Sequence, residues 1–204
     1  MKFYNSIGPN PHVVRMFAAE KGIALQTVEV DLMGGENRQG DYMARNPTGT
    51  TPALELDDGR CLAEITVICE YLEETRPEPA LIGRTPEERA ETRMWVRRID
   101  LGIVEPMTNG FRASEGRRLF EKRMKLVSPE AATELKTIAH DRLMWLDAQL
   151  AGRTFVCGDR FTLADILLYA FRAFGMQIGQ PIPPEAAWVT EWFDRVKARP
   201  SASA

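Results

Sequence analysis

Three cysteines and two histidines are the chain's whole supply of thiol and imidazole metal ligands. Cys61, Cys69 and Cys157 are odd in number and form no C-x-x-C pair, so neither a disulfide framework nor a zinc site is expected. His12 and His140 stand too far apart to suggest a metal. Long apolar runs are missing too. The longest, Ile166 to Phe171, is far too short for a bilayer, and Met1-Lys2-Phe3-Tyr4-Asn5 has no apolar segment of the secretory kind. No sign of charge dominates: the net charge is −3, which argues against nucleic acid or an anionic membrane as partner. Internal repeats and low-complexity stretches are absent. These absences point to a protein without metal in a reducing, cytoplasmic setting.

What is present divides in two. The 204 residues suffice for one large domain or two small ones. Residues 1–80 hold seven basic and thirteen acidic side chains, whereas residues 81–204 hold nineteen and sixteen. This change of sign places a boundary near residue 80.

The first part reads as a mixed α/β unit. Lys2–Ser6 is a short strand ended by the turn Gly8-Pro9-Asn10-Pro11. A helix follows through Val13, Val14, Met16 and Phe17, with Pro11 in its first turn and Gly22 as its stop. Thr27–Asp31 alternates, with Val28 and Val30 on one face, and reads as a second, parallel strand. Residues 33–51 read as irregular. Ala53–Leu56 and Arg60–Ala63 flank Asp57-Asp58-Gly59 as a hairpin. Ile65, Ile68, Cys69 and Leu72 fall at helical spacing. The sum is a four-stranded mixed sheet with helices.

From Thr85 onward no segment alternates as a strand does. Thr85-Pro86-Glu87-Glu88 is a helix start, with Thr as N-cap and Pro at the first helical position. Ala139, Leu143, Leu146 and Leu150 mark a later helix. Thr162-Leu163-Ala164-Asp165 opens another with a capping box that uses Asp, and Phe161 is placed to staple onto Ile166. Val189, Phe193 and Val196 mark the last helix.

Four stretches, in order and spacing, resemble the cytosolic glutathione transferase superfamily, with the look of its bacterial beta and nu types. They are Ser6-Ile7-Gly8-Pro9-Asn10-Pro11, Asn46 to Leu54 (NPTGTTPAL), Ala63 to Leu72 (AEITVICEYL) and Phe161 to Ile166 (FTLADI). The resemblance implies a thioredoxin-like glutathione-binding domain over 1–80 and an all-helical bundle over 85–204. It also implies a homodimer, glutathione as co-substrate, and a cis Thr51–Pro52 bond at the head of the third strand. The main chain of Thr51 would then pair with an extended peptide as an added strand does. The N–H groups of Ile65 and Thr66 would hold the γ-glutamyl carboxylate, and Glu64 the ligand's ammonium. Arg38 and Gln39 are candidates for the glycyl carboxylate.

At one position the chain departs from the family. Serine is usual where Ile65 stands, and losing its hydrogen bond to a carboxylate costs about 1.5–3 kcal/mol. Weakened affinity for glutathione is expected, unless Thr66 or another donor compensates. A free thiol titrates near about 8.5, and lowering it by about two units requires about 2.7 kcal/mol of thiolate stabilisation. Asn10, at the start of the first helix, and Ser6, at the end of the first strand, are the candidate donors. Tyr4 lies inside the strand and reads as core. No cysteine occupies this region, which argues against a mixed disulfide between protein and glutathione. Cys69 reads as a buried structural thiol.

The resemblance further implies an apolar acceptor site near the first long helix of the helical domain. Ile103, Met107, Phe111 and Arg112 lie on that helix or at a break around Pro106 and Gly110. The expected activity is conjugation of glutathione to an electrophile, or reduction of a peroxide or disulfide. The alternative prompted by Ile65 is a protein of the same fold that holds glutathione or apolar ligands without turnover. An interaction module is a third reading.

Overall fold

A computed structural model describes residues 1–204, in two compact units: Met1–Ile82 with Pro200–Ala204, and Gly83–Arg199.

The first unit is a four-stranded sheet in the order β2-β1-β3-β4. β1 (Lys2–Asn5) is parallel to β2 (Gln26–Glu29) and antiparallel to β3 (Ala53–Glu55), which forms the expected hairpin with β4 (Cys61–Ala63). α1 (Pro9–Glu20) ends in a glycine cap. Gly22 has φ 61°, Ile23 N–H donates to Ala18 O at 2.9 Å, and Gly22 N–H donates to Ala19 O at 3.1 Å. Those two bonds satisfy carbonyls that the helix end leaves open. α1 packs against α3 (Ile65–Thr75), and Phe3, Val14, Phe17, Leu54, Ile68 and Leu72 are fully buried.

Successive strand residues face opposite sides. Tyr4 therefore turns away from Phe3 and joins Val30, Tyr42 and Ala53 in a second cluster, its ring edge-on to Tyr42 at 6.0 Å. Two expectations are corrected in this region. Residues 33–51 are not wholly irregular: they contain a 3-10 turn (Glu36–Arg38) and α2 (Gly40–Arg45), which is anchored through Tyr42. The second strand is Gln26–Glu29, on the sheet edge, where Val28 is exposed and only Val30, just past the strand, is buried. Pro200–Ala204 packs on α1, where His12 meets the Ala202 carbonyl at 3.0 Å and Arg15 donates to the Ala204 carbonyl at 3.0 Å.

The second unit is helical: α4 (Pro86–Ile99), α5 (Glu105–Ala113), α6 (Arg117–Phe120), α7 (Pro129–Leu150), α8 (Leu163–Gln177) and α9 (Ala187–Lys197). Thr85 Oγ1 accepts from Glu88 N–H at 3.3 Å, which is the N-cap expected for α4. A π-helical stretch, Asp100–Val104, joins α4 to α5. Pro106 follows it; having no N–H, proline disturbs the α ladder one turn back, which a widened turn accommodates. The helix does not break at Gly110. A Cβ there would lie 2.6 Å from Lys136 Cγ and 3.1 Å from the Ala132 carbonyl, so this glycine lets α5 approach α7.

α8 is buried over most of its length. Its capping box forms as read, and Asp165 is its hub. The fully buried carboxylate accepts from Val156 N–H, Thr162 N–H and Trp192 Nε1, each at 2.9 Å, and from Thr162 Oγ1 at 3.2 Å. Burial pushes its pKa up to about 6 against these four bonds. No helix is long and apolar enough to cross a membrane.

Candidate active site

The strand registers bring three loops to one end of the sheet. β1 pairs Tyr4 with Ala53, so the same register carried onward sets Ser6 towards Thr51. β3 pairs Ala53 with Ala63, so Glu64 follows alongside Pro52. The starts of α1 and α3 therefore share an end of the sheet with the Thr51–Pro52 bond, which is cis. Both residues are buried, and Thr51 lies outside the ladder, which begins at Ala53.

The segment leading into Thr51 is pinned. Thr50 O accepts from Tyr42 Oη at 2.6 Å and from Asn46 Nδ2 at 2.7 Å. Asn46 Oδ1 accepts from Thr48 Oγ1 at 2.8 Å, which uses both ends of the amide. Asn37 Nδ2 donates to Gly49 O at 2.6 Å, which ties the turn carrying Arg38 and Gln39 to the same segment. Arg38 and Gln39 are exposed, and the Arg38 stem lies against Gly49. Tyr42, Asn37 and Asn46 were missed as positioning residues. The Asn-Pro-Thr-Gly string was the available signal for Asn46.

The α3 N-terminus has no side-chain cap and no acid in its first turn. Its open N–H groups and the helix dipole therefore face solvent at Ile65 and Thr66, which are half-buried. Glu64, its exposed N-cap, is the chain's one non-glycine residue at positive φ, 67°. Such a conformation costs about 1–3 kcal/mol and is concentrated at functional sites.

The two candidate thiol donors differ. Ser6 is buried and its hydroxyl donates to the Val30 carbonyl at 2.9 Å, so its one proton is committed to the fold. Asn10 is half-buried in the first turn of α1, between Pro9 and Pro11. Neither proline has an N–H, so among the first three helical residues only Asn10 offers a main-chain donor, beside its own amide. Tyr4 is engaged as well. Its hydroxyl donates to Glu55 at 2.6 Å and, with Lys2 at 2.9 Å, holds that carboxyl down to about 2. Burial raises the pKa of all three cysteines, Cys69 most of all.

In the second unit Ile103 and Met107 are buried in its core, and Met107 Sδ faces the Arg172 guanidinium at 3.3 Å. Phe111 and Arg112 are half-buried. Phe111 stands edge-on to Phe174 at 5.2 Å, and Arg112 lies over the Phe120 ring at 5.7 Å. Sequence patterning alone does not separate this inner pair from the outer one.

Residues 7–75 match the family described as "Glutathione S-transferase, N-terminal domain", and residues 118–200 match "Glutathione S-transferase, C-terminal domain". Glutathione S-transferase 2 of Saccharomyces cerevisiae is 33% identical over 95% of this chain and 84% of its own. The crystal structure of a glutathione S-transferase domain-containing protein of Marinobacter aquaeolei superposes with a TM-score of 0.93 at 39% identity, over 99% of this chain and 100% of that one. That of Gtt2 from Saccharomyces cerevisiae gives 0.92 at 32% identity, over 100% and 99%. A thioredoxin-like sheet unit joined in sequence to a helical unit, with matches along nearly the whole chain, makes this protein a member of the cytosolic glutathione transferase superfamily and a transferase.

Proposed function

We propose that this transferase seats glutathione along the sheet end at Thr51 and Pro52 and presents its sulfur to Asn10, for addition to an electrophilic carbon. The observation that carries the reading is the meeting of two uncapped helix starts with the unladdered Thr51 main chain. Thr51 N–H and C=O pair with the tripeptide as an added strand would. The Ile65 and Thr66 N–H groups take the γ-glutamyl carboxylate, and Glu64 takes the ammonium. Arg38 and Gln39 reach the glycyl carboxylate.

The sulfur is activated by hydrogen bonding and not by a protein thiol. Buried cysteines with raised pKa values make poor thiolates, and Ser6 has no proton to spare. Asn10, with the α1 dipole behind it, supplies the donors. Phe111 and Arg112 are the half-buried members of the acceptor-binding set, with Ile103 and Met107 as their backing. Reduction of a hydroperoxide by the same thiolate is the second activity of this site. A homodimer, a cytoplasmic location and a detoxifying role complete the reading. The free cysteines support a reducing compartment.

Calorimetric titration with glutathione, alongside turnover of a chromogenic aryl halide, tests it. Binding at millimolar concentration or tighter with turnover is expected. Binding without turnover of either the aryl halide or a hydroperoxide favours a ligand-holding protein.

A further inference from the structure

A cavity lies entirely within the helical unit, and a buried guanidinium belongs to its lining. It measures about 560 Å³ and is bounded by α7, by Arg172 of α8 and by the loop Gly179–Glu185. Ligand cavities typically measure about 300–1,000 Å³. One wall is stiffened by Pro181, Pro183 and Pro184. Proline-fixed walls lose little freedom when a ligand arrives.

Arg172 is only 3% exposed, yet no carboxylate pairs with it. Buried charges are ordinarily paired, because desolvation of a lone ion is costly. Its Nη1 donates to the Met107 sulfur, a weak acceptor, and its Nη2 to the Gln180 carbonyl, while Nε is buried without a partner. Burial alone lowers its pKa, to about 10, and the guanidinium stays charged at neutral pH. The other charges of the lining are differently disposed. Lys136 is already held by Glu115 at 2.8 Å, and His140 and Glu185 are exposed. Arg172 is therefore the buried, uncompensated charge of a lining that also includes Leu143 and Ile182.

We propose that this cavity binds small molecules that join an apolar body to a single carboxylate, with the carboxylate on Arg172 and the body against Leu143, Ile182 and the proline wall. The guanidinium fork matches a carboxylate, and an incoming anion supplies the counter-charge that the fold leaves out. Gly175 belongs to the same device. A Cβ there would lie 2.9 Å from the Gln180 carbonyl and 3.0 Å from Arg172 Nη2, so a side chain would displace the loop. This site is separate from the proposed glutathione site and does not depend on it.

The test uses 2-naphthoate and its uncharged analogue 2-naphthamide, titrated calorimetrically into the intact protein. Naphthoate is expected to bind at least about tenfold more tightly than the amide, the least that a charge-assisted hydrogen bond contributes. Arg172→Met is expected to remove that preference. Thr137→Trp fills the mouth from the exposed side of α7 without touching the guanidinium, and is expected to abolish binding of both probes. It keeps the test decisive if Arg172→Met does not fold. Equal affinity for the two probes, no naphthoate binding at millimolar concentration, or binding unchanged in Thr137→Trp would each overturn the proposal.

Discussion

The ammonium of Lys21 lies 2.6 Å from the carboxylate of Glu73, with both side chains fully buried. The pair closes the first unit. Lys21 spends its other two protons on the carbonyls of Arg76 and Pro79, each at 2.7 Å. Glu73 accepts from the N–H groups of Leu81 at 3.2 Å and Ile82 at 2.9 Å. The ends of α1 and α3 and the chain leading to Ile82 thus share one polar knot.

Removing one partner leaves the other charged and dry. Lys21→Met is expected to destabilise the protein by about 3–5 kcal/mol. The double variant Lys21→Met, Glu73→Gln is expected to recover part of the loss, because no lone charge remains. Urea unfolding of the three proteins measures both steps. A loss below about 1 kcal/mol, the value of a surface pair, would mean that the knot is wet in solution.

Asp165 makes the second unit sensitive to pH. Its folded pKa, about 6, lies above the ordinary 3.8, so between those values the folded chain keeps a proton that the unfolded chain has released. Its contribution is therefore greatest at low pH and is lost as pH rises through about 6. The stability advantage of wild type over Asp165→Asn is expected to narrow by about 2 kcal/mol between pH 4 and pH 7, at about 1.4 kcal/mol per unit. An advantage that widens instead would show that the four hydrogen bonds outweigh burial.

Glu64 opposes stability to function. Glycine tolerates its φ of 67°, so Glu64→Gly is expected to raise stability by up to about 1 kcal/mol. The same change removes the proposed ammonium partner and is expected to weaken glutathione about tenfold. Thermal melts and calorimetry on one preparation read both. A variant that loses stability, or keeps its affinity, contradicts the role given to Glu64.

In the proposed site Asn46 is a positioning residue that acts through the Thr50 carbonyl, to which its amide donates at 2.7 Å. Asn46→Ala is expected to raise KM for glutathione about tenfold while kcat changes less, as expected for lost positioning at the cost of one or two buried hydrogen bonds. An equal fall in kcat with KM unchanged would place Asn46 in the chemistry itself.

The sequence made the local chemistry legible. Thr85 and Thr162 cap as read, Asp57-Asp58-Gly59 turns the hairpin, and Gly22 stops α1. Each of these is decided within a few neighbouring residues. What was missed depends on distant ones. α2 is six residues long, with no apolar period of its own, and is held by Tyr42 against Tyr4 and the Thr50 carbonyl. Ser6 and Asn10 read as alternatives in the sequence, and the bond from the Ser6 hydroxyl to the Val30 carbonyl is a tertiary contact that no local pattern reveals. Val28 alternates as a core residue does, but the sheet edge leaves it exposed. Arg172, a lone charge following the apolar run Ile166 to Phe171, was a readable signal that went unused.

The most direct measurement is the pKa of the glutathione thiol when bound, followed by the ultraviolet absorbance of the thiolate in wild type, Asn10→Ala and Ser6→Ala. Wild type and Ser6→Ala are expected to titrate about two units below the free value of about 8.5, and Asn10→Ala close to that free value. A wild-type value equal to that of free glutathione, or an Asn10→Ala value unchanged from wild type, would contradict activation by the opening turn of α1.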